Sequence, residues 1–142
     1  MREQTTPLVY PVFSIHARGL ISDLIKNPKG KTYTKISDVG ADAVCTSTIV
    51  ACELTFGAVK RGSPQLADRI ETSFIKISVL ALDPQVRHSY AIARTQLERQ
   101  GLPIGGNDLL IAAHALTLGL TLVTANVREF ERVDGLRVEN WL

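Results

Sequence analysis

The sequence predicts an α/β fold, a three-layer α/β/α sandwich around a central parallel sheet. Two observations predict it. Short β-branched runs alternate with helical stretches along the chain, and Gly or Pro punctuates most of the joins between them. Strands that alternate with helices form parallel sheets covered on both faces, joined by right-handed crossovers. At 142 residues, with no internal repeat, low-complexity tract or linker, the chain is expected to form a single domain over 1–142.

Leu8 to His16 is β-branched and aromatic enough for a first strand, and Gly19 to Asn27 has helical apolar spacing stopped by Pro28. Tyr33, Ile36 and Val39 suggest a second short helix, and Ala43 to Ser47 the next strand. Thr46 or Ser47 can cap a helix reaching about Lys60. Pro64 opens a helix to about Ile77, Val79 to Asp83 reads as a short strand, and Pro84 opens an amphipathic helix to Gln100, ended by Gly101. After the loop LPIGG, Asn107 is expected to cap a helix over Asp108 to Leu118, with Gly119 as its stop. Thr121 to Thr124 is a strand, and Leu136 to Trp141 a last extended piece.

The composition, 45% hydrophobic, 21% charged and 6% aromatic, excludes collagen-like, disordered and coiled-coil chains. Sixteen basic residues against 14 acidic ones, scattered along the chain, make almost no case for nucleic-acid binding from charge alone. Cys45 and Cys52 are too few for a disulfide framework and lack zinc-ligand spacing, so both read as core thiols of a reducing cytoplasm. No apolar run reaches the roughly 20 residues of a membrane helix, and Met1 to His16 lacks the pattern of a signal peptide, so a cytoplasmic location is expected.

In a sheet of this kind ligands gather beyond the carboxyl ends of the strands, so Ala17, Ser47 and the segment Thr124 to Asn126 should face one crevice. Two acids are badly placed for solvated surface. Glu53 falls in the stripe Ile49, Val50, Glu53, Phe56, Gly57, and Asp108 lines up with Ile111, Ala112, Ala115 and Leu116. A carboxylate on an inward face must be hydrogen-bonded, protonated or metal-bound, since burying it unpaired costs several kcal/mol. Pairing with a Lys or Arg would explain Glu53, the helix dipole would explain Asp108, and a plain turn would explain Asn126 at the exit of TLVT. Taken together, these oxygen donors suit Mg²⁺ or Mn²⁺ and metal-assisted phosphodiester hydrolysis. His16, His88 and His114 have no partners at motif spacing, and His114 reads as a satisfied histidine inside a helix. Ser14 and Ser47 lack a nucleophile elbow, and no phosphate-binding glycine motif is present.

The segment GLPIGGNDLLIAAHALTLGLTLVTANVREFERVDGLRVENW, together with AVCTSTIVACELTFGAVK and LISDLIKNP, resembles the PIN-domain family, in particular the toxin ribonucleases of the VapC and FitB type. The resemblance covers most of the chain from about Gly19 and implies a cytoplasmic toxin of a type II toxin–antitoxin system. It further implies a metal-dependent endoribonuclease acting on RNA, usually a homodimer and held by a cognate antitoxin. Glu53 and Asp108 match the family's metal-binding acids. Asn126 falls where the family has Asp or Asn, with Thr124, Ser47 and Arg128 in support. The family's first strand ends in a motif like L-D-T-N whose Asp is the first metal ligand; here the run is His16, Ala17, Arg18, Gly19, and the expected ligand position is Ala17. Hydrolysis is therefore expected to be impaired, or absent in a PIN-fold module that binds antitoxin or RNA without cleavage. With Ser14 and Ile15 encoded UCG and AUA, the frame displaced by one nucleotide reads Leu or Phe, then Asp, then Thr, so the motif would survive out of frame.

Overall fold

The computed structural model describes residues 13–16 and 21–142. In chain order the elements are β1 (Phe13–Ile15), α1 (Ser22–Lys26), α2 (Lys31–Val39), a 3₁₀ turn (Ala41–Ala43), β2 (Val44–Ser47), α3 (Thr48–Arg61) and α4 (Pro64–Lys76). Then follow β3 (Ser78–Leu80), α5 (Val86–Arg99), α6 (Gly106–Leu118), β4 (Thr121–Val123), α7 (Val127–Phe130) and β5 (Val138–Glu139). The strands form one sheet in the order β3-β2-β1-β4-β5 with every pair parallel, giving the three-layer α/β/α sandwich.

The order positions the site. From β1 the chain steps outward through β2 to β3, then returns to lay β4 on the other side of β1 and continues to β5. Right-handed crossovers consequently put α1–α4 over one face and α5–α7 over the other. The direction reverses between β1 and β4, and at such a switch point the helices diverge and leave a crevice beyond the strand ends.

Burial follows the sequence pattern closely in α6, where Ile111, Ala112 and Ala113 are fully buried and Leu109 and Ala115 nearly so. Ile15, Val44, Cys45, Leu122 and Val123 close the sheet's side of the core, and Phe13 packs edge-on against Trp141 at 5.1 Å. Gly119 stops α6 in the left-handed region at φ 66°, where a Cβ would be strained.

Several expectations are corrected. Of the two caps expected for α3, Ser47 is the one used: its hydroxyl accepts from the Ile49 N–H at 3.1 Å, while Thr46 Oγ1 donates to the Ile15 carbonyl at 2.7 Å. Asn107 lies inside α6, whose N-cap is Gly105 with no side-chain bond, so the helix begins two residues earlier than expected. Pro84 sits in a turn ahead of α5 rather than at its first position. Phe56 is 63% exposed, so the stripe read on α3 is buried only at its start, around Val50. Cys52 is exposed, whereas Cys45 is buried and its thiol is pushed up to about 11 by desolvation. The early part of the expected first strand, residues 8–12, lies outside the described residues.

Candidate active-site crevice

Three chain segments meet at the carboxyl ends of β1 and β4. The His16 N–H extends the ladder past β1 by donating to the Val123 carbonyl at 2.8 Å, which carries the ring to the switch point. His16 is fully buried. Its Nδ1 lies 2.9 Å from Thr124 Oγ1, its ring meets Phe130 edge-on at 5.1 Å, and its Nε2 stands 3.2 Å from Asp108 Oδ1. That last approach is off the hydrogen-bond line, leaving Nε2 without a hydrogen-bond acceptor in good geometry, so the contact with Asp108 is electrostatic.

The surrounding bonds bear on the ring's proton. Thr124 Oγ1 already accepts the Asn126 N–H at 3.0 Å, so its own hydrogen is free to turn toward His16 Nδ1. A proton on Nε2, facing the carboxylate, is the arrangement that both contacts favour. The opposite tautomer would set two lone pairs against each other across 3.2 Å.

Asp108 occupies the first turn of α6, where the helix dipole favours an acid, and its side chain is 13% exposed. Glu53 lies in the second turn of α3, which starts at the end of β2. It is half-buried and makes no hydrogen bond or ion pair among the described residues, so the Lys or Arg pairing is not found there. Asn126 caps α7 from the end of β4, and its amide donates to Glu129 Oε2 in a short bond. Glu129 Oε1 also accepts from the Gly105 N–H at 3.4 Å, tying α7 to the loop that opens α6. The sequence reading passed over Glu129 and His16. The signal for Glu129 was its place three residues after Asn126, and for His16 its place at the strand's end. Arg128 is exposed, and Ala17 lies outside the described residues.

Ser47 and His114 form a second, buried pair. Ser47 Oγ lies 3.2 Å from His114 Nδ1 while accepting from the Ile49 N–H. His114 Nε2 has no partner among the described residues, and burial holds this histidine's pKa below the ordinary range, against a smaller opposing pull from Asp83. Asp23 is engaged elsewhere: it accepts from Asn27 Nδ2 at 2.9 Å and the Thr32 N–H at 3.3 Å, joining α1 to α2.

Asp108 and Glu53 are the carboxylates that could hold a hard cation, with Asn126 as a neutral oxygen. The set does not fit one. Among the described residues no three His, Cys, Asp or Glu converge as metal ligands. An ion on Asp108 Oδ1 would sit about 2.1 Å from that oxygen, against His16 Nε2.

The PIN-domain model matches residues 20–136. The tRNA(fMet)-specific endonuclease VapC of Salmonella typhimurium is 38% identical over 105 residues, spanning 73% of this chain and 80% of that protein. Ribonuclease VapC2 of Haemophilus influenzae is 40% identical over 103 residues, 72% of this chain and 78% of its own. The crystal structure of DNA-bound VapBC from Salmonella typhimurium superposes with a TM-score of 0.86 at 33% identity, covering 93% of this chain and 99% of that one.

Proposed function

Because the chain belongs to the PIN-domain family, we propose that it is the toxin component of a type II toxin–antitoxin pair, built as a single-domain endoribonuclease that hydrolyses RNA phosphodiesters. One observation carries the reading: an acid on α6, Asp108, meets the ends of β1 and β4 at the switch point of the sheet, where this architecture binds ligands. Asp108 and Glu53 are the acids of the site, Asn126 its neutral oxygen, and Thr124 and Ser47 its supports. Arg128, exposed beside Asn126, is available to an RNA phosphate.

Mg²⁺ or Mn²⁺ is the cofactor the family reading implies; when bound, such an ion activates water and offsets charge on the leaving oxygen. The described residues do not complete its site, so hydrolysis in this chain is impaired. That mismatch favours a second reading, a PIN-fold module that engages its antitoxin or RNA without cleavage.

A cognate antitoxin is the assigned protein partner. A groove of about 760 Å³ between α1, α2 and α4, lined by Leu24, Ile25, Tyr33, Ile36 and Ile77, offers an apolar seat for a segment of it. A second copy is the partner assigned to Phe56 and Val59, which stand 63% and 73% exposed one turn apart on α3. No helix among the described residues is long and apolar enough to cross a membrane, and the cytoplasm is the proposed location.

The test is cleavage of a structured RNA by purified protein at millimolar Mg²⁺ or Mn²⁺, with Asp108→Ala as control. Weak cleavage that disappears in the variant supports the impaired enzyme. No cleavage with retained RNA or antitoxin binding supports the module, and cleavage unchanged in the variant removes Asp108 from the site.

A further inference from the structure

We infer that His16 takes the place of a cation at Asp108, so that an internal imidazole, and not a metal ion, faces the crevice acid of this chain. The inference rests on Asp108 being the crevice acid of the PIN fold and adds which residue has displaced its metal.

Four observations converge. Sheet register brings His16, the first residue after β1, to the switch point: Ile15 is the last residue of β1 paired with β4, and the next N–H continues the ladder to Val123. The resemblance puts the missing carboxylate at Ala17, and the side chain found against Asp108 is the imidazole one position before it. The ring is fixed on three sides by Thr124, Phe130 and Asp108, with no exposure to solvent. A fully buried ring held by a hydroxyl and an edge-on aromatic cannot swing aside without breaking both contacts and opening a void beside buried Phe130.

Electrostatics decides what the ring does there. A first carboxylate adjoining Asp108 would raise the local negative charge and draw in a divalent cation. An imidazole at the same place adds no negative charge, and its Nε2 lies where that cation would approach Oδ1. The exchange removes one anionic ligand. Glu53, half-buried and without a hydrogen bond or ion pair among the described residues, remains as the other acid, too few for a hard-cation site in this crevice.

The experiment is a Mn²⁺ titration followed by the electron paramagnetic resonance signal of the free ion, with Mg²⁺ as competitor, on the wild-type chain and His16→Asp. Wild type is expected to show no saturable Mn²⁺ site in the millimolar range. His16→Asp is expected to gain one, tightening affinity by about tenfold or more, and Asp108→Ala in the His16→Asp background should remove it. A wild-type site as tight as that of His16→Asp overturns the inference. So does a wild-type Zn²⁺ or Mn²⁺ site lost in His16→Ala, which would make the imidazole a ligand and not a replacement. Independently of whether His16→Asp folds, ¹⁵N resonances of the wild-type ring should report a protonated Nε2 and an accepting Nδ1, and the reverse tautomer overturns the inference. Failure of antitoxin or RNA binding would count against the toxin reading and leave the Mn²⁺ result standing.

Discussion

At His114 a polar ring is buried on α6 with one nitrogen bonded to Ser47 and the other without a partner among the described residues. Desolvation holds its folded-state pKa below that of the unfolded chain, about 6.5. The sign follows: between the two values the unfolded chain binds more protons, so stability rises with pH there. The contribution is fully present above the unfolded value and is lost as pH falls below about 6.5. Urea midpoints at pH 7.5 and 5.5 should therefore drop more for wild type than for His114→Gln; equal drops would remove His114 as the source. Ser47→Ala removes both the cap of α3 and the partner of this ring. It should cost about 1–2 kcal/mol in the same unfolding measurement. Sequence reading reached half of this residue-scale picture. His114 was expected to be satisfied inside its helix, and among the described residues only Nδ1 has a partner; that Ser47 supplies it, 67 residues away, was not legible, since no local pattern encodes that meeting.

The longer elements were legible because their apolar spacing, Pro starts and Gly stops agree, as in α4 behind Pro64 and α6 ahead of Gly119. The short ones were not. α7 spans Val127–Phe130, little more than one turn, too brief for a 3.6-residue period to register, yet it supplies both Phe130 and Glu129 to the crevice. What holds the chain after α7 is a side chain on another element. Gln96 of α5 donates to the Arg132 carbonyl at 2.6 Å and accepts from the Asp134 N–H at 2.9 Å, clamping that turn in place. Gln96→Ala removes both bonds and should lower stability by about 1–2 kcal/mol in urea unfolding. Amide exchange should rise selectively at Asp134; uniform exchange across the chain would contradict a local clamp. By contrast, Arg94 pairs with Glu98 at 2.9 Å on an exposed face of the same helix, where an i,i+4 pair contributes little to stability.

For the whole molecule, the alternating pattern made a parallel sheet legible, but not the order that sets β1 between β2 and β4. That order puts His16 beside Thr124 and Asp108, residues 108 and 92 positions further along the chain, and so makes the crevice. The sequence also drew attention to the missing carboxylate, which the resemblance places at Ala17, outside the described residues. β1 ends at Ile15, and the side chain that the structure brings to Asp108 is that of His16. Near-neutral net charge, +2, is compatible with an RNA-directed site, because such a site is built from a few local groups and not from the chain's total charge. The proposal to be tested is that His16 stands where a cation would bind Asp108. The most direct measurement compares Mn²⁺-dependent cleavage of a structured RNA by wild type, His16→Asp and Ala17→Asp. A gain of about tenfold or more in His16→Asp, with none in Ala17→Asp, is the predicted result; a gain confined to Ala17→Asp, or wild-type cleavage already equal to that of His16→Asp, would contradict it.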